Sequence, residues 1–222
     1  NENAFIIATT LDSNLNAVSV NQTVEQPQTR TNISPRLDYS INDKNTLVVR
    51  YQNTRSAFEN EGVGGYSLLS KAFSQNRSEN TVQATETAIL SARAINETRF
   101  QFMRAVSNSK GDNTVPAISV QGAFDGGGAQ VGLSGNTSKH WEVNNITTYT
   151  HGAHTIKWGG RLRQVFVDDT SVSNFGGSYY FFGGAGPQLD ASNAAIAGSS
   201  IQLTALERYR RTIQQYLDCL IV

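Results

Sequence analysis

The chain has 222 residues, with 18 basic and 18 acidic side chains and a hydrophobic content of 38%. The balanced charge excludes a bulk field that would attract nucleic acid, and the hydrophobic content is low for a large soluble core. No run of about 18 apolar residues is present, which excludes a transmembrane helix. The single cysteine, Cys219, excludes an internal disulfide and a cysteine-based metal site.

Polar and apolar residues alternate with a period of two along most of the chain, as is typical of β-strands with two different faces. Six long strands are predicted, at 29–41, 46–56, 77–90, 94–108, 137–150 and 154–168. A shorter segment at 178–182 is either a strand or part of a loop. Only 203–214 has apolar residues at helical spacing, which predicts a short helix.

The predicted connections alternate between very short and long. Turns of a few residues are predicted at 42–45, 91–93 and 151–153. Long connections are predicted at 57–76 and 109–136, the second with a small β-like run at 118–121. Strands of ten or more residues exceed those of a typical soluble sandwich and suit an oblique bilayer crossing. Short turns at one end and long loops at the other indicate an outer-membrane barrel.

The two faces of the predicted strands differ in their chemistry. One face carries charged side chains, namely Arg36, Asp38, Arg50, Glu79, Glu97, Arg99, Lys157, Arg161 and Arg163. The other is β-branched and aromatic, interrupted by Glu86, with Tyr51, Trp141, Tyr149 and Trp158 as candidates for interfacial girdles. Alternation alone leaves two alternatives, a barrel wall around a wet lumen or a soluble sandwich whose aromatic residues fill a core.

An ordered series of short stretches resembles the barrel segment of TonB-dependent receptors of the Oar-like type. The stretches are PQTRTN (27–32), SPRLDY (34–39), NTLVVRY (45–51), GGYSL (64–68), NETRFQ (96–101), VQGAF (120–124), HTIKWGGRLR (154–163) and ERYRRT (207–212). The resemblance covers about residues 1–213, and the order of the stretches carries it more than any one of them.

The resemblance implies an all-β fold, an antiparallel up-and-down meander of long strands that is part of a transmembrane β-barrel in the bacterial outer membrane. As a fragment it would be an open curved sheet. The implied function is import of an unidentified ligand. The implied partners are outer-membrane lipid, the rest of the barrel with its plug, TonB through an N-terminal part outside this chain, and an unknown extracellular ligand. The alternative is a secreted β-sandwich module with an adhesive or carbohydrate-binding role, and neither predicts a nucleic-acid partner.

Three regions are expected along the chain. They are an external loop segment (1–28), a six-strand barrel segment (29–168), and a long external loop with a short strand, a short helix and a truncated C-terminus (169–222). Residues 215–222 depart from the resemblance, through truncation or a shifted reading frame. Because single-chain barrels have at least about eight strands, we expect the isolated chain to show no transport activity in liposomes.

No catalytic, cofactor-binding or metal-binding residue is predicted, and the chain is not expected to be an enzyme. His151 and His154 flank a turn without an acidic or cysteine partner, which is typical of solvated turn histidines rather than of a metal site. The glycines at 126–128 and 183–184 lack the phosphate-loop pattern and are predicted to be flexible loop glycines. Asp168 and Asp169 are predicted to be a solvated strand end.

Aromatic residues of the long loops are the remaining candidates for ligand contact. They are Tyr66, Tyr179, Tyr180, Phe181 and Phe182. Loops often carry binding function, but the same residues are equally suited to packing within the loop region. Ligand-binding residues are therefore left unassigned.

Overall fold

The computed structural model describes residues 2–129, 131, 133–171, 174 and 176–220 of the chain. Its elements in chain order are β1 (Glu2–Leu11), β2 (Ala17–Gln26), β3 (Gln28–Ile33), β4 (Arg36–Asn42), β5 (Asn45–Glu61), β6 (Phe73–Ser91), β7 (Ala94–Gly111), β8 (Ala117–Val120), β9 (Phe124–Gly127), β10 (Leu133–His151), β11 (His154–Ser171), β12 (Ser178–Phe181), β13 (Gly184–Gly186), β14 (Ile201–Leu203) and α1 (Ala205–Leu220). The predicted all-β, antiparallel architecture is confirmed. The helix predicted at 203–214 exists, but it begins two residues later and ends six residues later, at Ala205–Leu220.

One large antiparallel sheet dominates the structure. Its order is β11-β10-β7-β6-β5, and β3 and β4 both pair with the free side of β5. The five long strands have 17 to 19 residues each. They exceed the predicted strands mainly at the ends that join the long connections, because the alternation of apolar residues fades there while the backbone pairing continues. The sheet is open, with β11 at one edge and β3 and β4 at the other.

The first predicted strand, 29–41, is interrupted at Pro35. Proline has no backbone N–H to contribute to a ladder, so the chain forms β3 before it and β4 after it. The carbonyl of Pro35 still accepts a hydrogen bond from the N–H of Tyr51 at 3.1 Å. Both pieces keep one register against β5, with Ile33 opposite Asn53 and Arg36 opposite Arg50. The break therefore does not change which side chains share a face.

Tight turns join the strands at one end of the sheet and long connections join them at the other. Residues 43–44, 92–93 and 152–153 form the turns, as predicted. In the first, the side-chain oxygen of Asn42 accepts the N–H of Lys44 at 2.9 Å, an Asx-type turn. We call the two ends of the sheet the turn end and the loop end.

The segments at the loop end fold together into a second body, which we call the loop layer. It consists of the hairpin β1–β2, a small sheet in the order β12-β8-β9, the pair β13–β14, and α1. Its own hydrophobic core contains Ile6, Ala8, Val24, Val63, Val120, Ala123, Phe124 and Ala205. The β-like run predicted at 118–121 is found here as β8, and the segment at 178–182, for which a strand and a loop were both left open, contains β12. The sequence analysis did not predict the hairpin β1–β2, which lies in the segment expected to be loop.

No helix in the described part of the chain is long and apolar enough to cross a membrane. This finding concerns helices alone.

Candidate functional site

The charged side chains predicted for one strand face lie together on one side of the large sheet, which we call the charged face. The strand register aligns two rows across it. One row is Arg36, Arg50, Gln83, Gln101, Glu142 and Arg163, and the next is Asp38, Val48, Thr85, Arg99, Asn144 and Arg161. The predicted division of side chains between the two faces is confirmed in these rows.

The charged face has more arginines than carboxylates. Its three short ion pairs are Arg36 with Asp38 (2.6 Å), Arg99 with Glu97 (2.7 Å) and Arg161 with Glu142 (2.7 Å). Among the described residues, Arg50 and Arg163 form no ion pair. Nine residues of the two rows, Arg50 among them, line a hollow of about 480 Å³. Guanidinium groups without a carboxylate partner leave this surface able to bind polar or acidic groups.

The opposite side, which we call the aromatic face, exposes large apolar side chains. Among them, Leu37 is 63% exposed, Leu162 61% and Trp158 54%, so these side chains are not part of a hydrophobic core. All four girdle candidates lie on this face, with Trp158 and Tyr149 nearer the turn end and Tyr51 and Trp141 nearer the loop end.

Polar groups on the aromatic face near the turn end satisfy one another. The amide of Asn96 donates to Asn145 at 3.1 Å and to Thr147 at 2.7 Å, and the amide of Asn145 returns a bond to Asn96 at 3.0 Å. Each amide therefore has a hydrogen-bond partner within the protein.

The aromatic residues predicted as candidates for ligand contact differ in their exposure within the loop layer. Phe181 is packed edge-on against Tyr209 with ring centroids 5.0 Å apart. Tyr66, Tyr179, Tyr180 and Phe182 are exposed. Tyr179 and Tyr180 line a hollow of about 230 Å³ that also contains Lys71 and Asp125. Burial lowers the pKa of Lys71, and the charge of Asp125 opposes this shift.

The hollow therefore combines two tyrosine rings, an ammonium group and a carboxylate. It can bind a ligand that has both apolar and hydrogen-bonding parts. Lys71 and Asp125 were missed by the sequence analysis, and no sequence signal joins them because they come from two separate connections.

Helix α1 anchors the loop layer. Its first turn is capped by Thr204, whose hydroxyl accepts the N–H of Glu207 at 3.1 Å. The Thr-x-x-Glu spacing is a capping-box signal that could have located this helix start. The ring of Tyr209 packs against Phe124 and Phe181, and Arg211 donates to the carbonyl of Pro187 at 2.7 Å. The helix is thus fixed to the small sheet β12-β8-β9 and to the segment beside β13.

Within α1, Arg210 and Arg211 hold the carboxylate of Glu207 through 2.7 Å hydrogen bonds. The hydrogen bond from Arg210, followed by that from Arg211, lowers the pKa of Glu207 from 4.5 to about 2. A carboxyl with a depressed folded pKa stabilises the fold fully above its unfolded pKa, and the contribution disappears as the pH falls through the folded value. The stabilisation is therefore expected above about pH 4.5 and lost towards pH 2.

We expect Glu207→Gln to weaken α1 locally by about 2 kcal/mol at pH 6, because hydrogen bonds to charged groups contribute about that much. Amide hydrogen exchange of α1, compared between variant and wild type, measures this effect. The difference between the two proteins is expected to shrink as the pH approaches 2. A difference that stays constant from pH 6 to pH 2 would contradict the assigned cause.

The remaining candidates show no assembled chemistry. His151 and His154 lie opposite each other at a turn, and the His151 ring is 3.2 Å from the guanidinium of Arg93. Within the described residues, no group of three or more His, Cys, Asp or Glu side chains is placed to hold a metal ion. Asp169 accepts a hydrogen bond from Asn136 at 3.1 Å. The side chain of Cys219 lies outside the described part.

The glycines at 126–128 were predicted to lie in a loop, but Gly126 and Gly127 belong to β9. Gly127 has φ +73°, and a Cβ there would lie 2.1 Å from the carbonyl oxygen of Pro116. A Cβ on Gly128 would lie 2.3 Å from the carbonyl oxygen of Val115. These glycines are required because two backbone segments pass too close together for any side chain.

A family model described as "Outer membrane beta barrel domain" matches residues 3–216. No curated protein and no solved structure matches the chain. The family match extends over both faces of the large sheet and most of the loop layer.

Proposed function

Since the chain belongs to the outer membrane beta barrel domain family, we propose that it forms one wall of a TonB-dependent, Oar-like receptor that imports an unidentified ligand. Family membership places the chain in the bacterial outer membrane, in contact with its lipid. Ligand import and the partnership with a plug and with TonB belong to the proposal.

The orientation follows from the connections. In outer-membrane barrels the short turns face the periplasm and the long connections face outside. The charged face then lines the lumen and the aromatic face meets lipid. On β10, Tyr149 and Trp141 are about 27 Å apart along the strand, or about 20 Å in height at a tilt of about 40°. This height is of the order of the apolar band of such barrels, about 25 Å.

The observation on which the proposal rests is that the long strands continue past the length needed to cross the membrane and support the loop layer. A strand needs about 9–11 residues to cross the membrane, whereas these have 17 to 19. The surplus extends outside and supports a layer with its own hydrophobic core. A receptor for a scarce ligand gains from a surface ordered before binding, because ordering it on binding weakens affinity. An open pore has no such need.

The charged face and the edges of the large sheet provide the surfaces that the proposed partners would contact. The surplus of guanidinium groups on the charged face suits contact with a polar plug. The edges at β11 and at β3 and β4 present backbone N–H and C=O groups that cannot face lipid unpaired. Further strands of the same barrel are therefore part of the proposal.

The secreted β-sandwich gains no support from the fold. A sandwich buries its apolar face under a second sheet. In the described residues, the aromatic face of the large sheet has no sheet packed on it, and its apolar side chains are exposed.

The test uses the complete protein that contains this segment, reconstituted in lipid vesicles and assayed for swelling in the sugar arabinose. A plugged receptor is expected to cause no swelling beyond that of protein-free vesicles, and the upstream coding DNA is expected to encode a signal peptide, a plug and a TonB box. A variant without the plug is the control and is expected to swell. Free swelling of the intact protein, with no plug encoded upstream, would overturn the receptor role and leave the family membership intact.

A further inference from the structure

Two basic residues lie side by side on the aromatic face, one step towards the loop end from the rings of Phe102 and Trp141 and level with Phe166. Arg104 follows Phe102 on β7 and Lys139 precedes Trp141 on β10, each by two positions on the same face. The register places Phe102 opposite Trp141 and Arg104 opposite Lys139. A pair of aromatic rings is thus followed, one step towards the loop end, by a pair of cations.

This arrangement is unfavourable without a counter-ion. Like charges directly opposite on neighbouring strands destabilise a sheet. Among the described residues, neither Arg104 nor Lys139 forms an ion pair. Asp168 is the nearest acidic side chain of this face by strand register, opposite Thr137 on the same strand as Lys139, and it is not paired with either cation. A third cation, Arg55, is one step further along β5, opposite Ser78.

At this level of the sheet, the surplus of positive charge lies on the aromatic face. On the charged face near this level, the two cations Arg30 and Arg77 are matched by the two carboxylates of Glu79 and Asp169. On the aromatic face, Arg55, Arg104 and Lys139 are accompanied only by Asp168. The one-sided placement indicates a partner that approaches from the lipid side and carries negative charge.

We propose that Arg104 and Lys139 bind the phosphate of a lipid headgroup in the outer leaflet, and that Arg55, two strands from Arg104 on the same face, adds to the positive charge there. The acyl chains would lie along Phe102 and Trp141, and the phosphate would meet the guanidinium and ammonium groups one step above. Basic clusters at the membrane boundary recognise anionic lipid headgroups in this way, and guanidinium forms charge-assisted pairs with phosphate. The inference depends on outer-membrane location and on the orientation of the sheet, not on ligand import.

The test compares how a bisphosphorylated lipid A and its dephosphorylated form bind to the complete barrel protein in detergent. Native mass spectrometry measures the bound lipid. Wild type is expected to prefer the phosphorylated lipid. R104Q/K139Q is expected to bind it at least about tenfold more weakly, since both basic side chains near the headgroup contribute to binding its negative charge. The matched control R77Q/K157Q removes two positive charges from the opposite face and is expected to bind as wild type does.

Three outcomes would overturn the inference. One is equal binding of the two lipids by wild type. Another is unchanged binding by R104Q/K139Q in a protein that still folds as judged by its heat-modifiable mobility. The third is displacement of the lipid by an equal concentration of inorganic phosphate, which would indicate a free-phosphate site instead.

Discussion

Phe124→Ala is expected to unfold the loop layer while leaving the sheet beneath it intact. Phe124 is 4% exposed, and its ring packs edge-on against Tyr209 of α1, with centroids 5.4 Å apart. Removal of a buried phenylalanine ring costs about 3–5 kcal/mol. The core of the loop layer is small, so a loss of this size is a large part of its stability. The large sheet has its own backbone ladders and does not depend on this ring.

Limited proteolysis of the complete protein in outer membranes measures this effect. The variant is expected to be cleaved in the loop layer, whereas the membrane-embedded strands stay protected. Tyr180→Ala is the matched control, because it also deletes an aromatic ring from the loop layer but from a side chain that is 63% exposed. Equal protease sensitivity of the two variants would show that the packing of Phe124 does not hold the layer together.

Phe100→Lys is expected to destabilise the barrel by about 2–4 kcal/mol, because a lysine on the lipid side within the apolar band has this cost. Phe100 lies between Ala84 and Val143 on the aromatic face. Its neighbour Gln101 lies on the charged face, opposite Glu142. Gln101→Lys is therefore expected to change stability by less than about 1 kcal/mol, since the new ammonium faces a wet lumen and a carboxylate.

Denaturant unfolding of the complete protein in lipid vesicles compares the two variants. Phe100→Leu separates the loss of the ring from the introduction of charge and is expected to keep most of the stability. The pair of adjacent lysine substitutions tests the assignment of the faces directly. If Gln101→Lys destabilises the barrel more than Phe100→Lys, the charged face meets lipid and the assignment of the two faces is reversed.

The strand faces and the turns were predictable from the sequence because their causes are local. Successive side chains of a strand point to opposite sides, so the separation of Arg99 and Gln101 from Phe100 needs no knowledge of other strands. The turn at 152–153 contains Gly152, whose φ of +58° suits glycine best. The limits of the strands were less predictable, since backbone pairing continues past the last apolar residue.

The loop layer could not be predicted in the same way. Ile6, Val120 and Ala205 meet in one core although long stretches of chain separate them, and none belongs to a long alternating run. The aromatic loop residues look alike in the sequence, yet Phe181 is packed against Tyr209 and Tyr180 is exposed. Only the packing of separate segments decides which ring becomes core and which is available to a ligand.

The sequence by itself determined that this protein has long two-faced strands, a charged side and an apolar side, with short turns at one end, because period-two geometry and turn chemistry act between near neighbours. The tertiary structure decided what depends on register and on packing between distant segments. It placed Arg104 opposite Lys139 across a long connection, brought Lys71 and Asp125 to one hollow, and closed the loop layer around Phe124. These contacts follow from the joint burial of apolar surface and the pairing of whole strands, which no local pattern records.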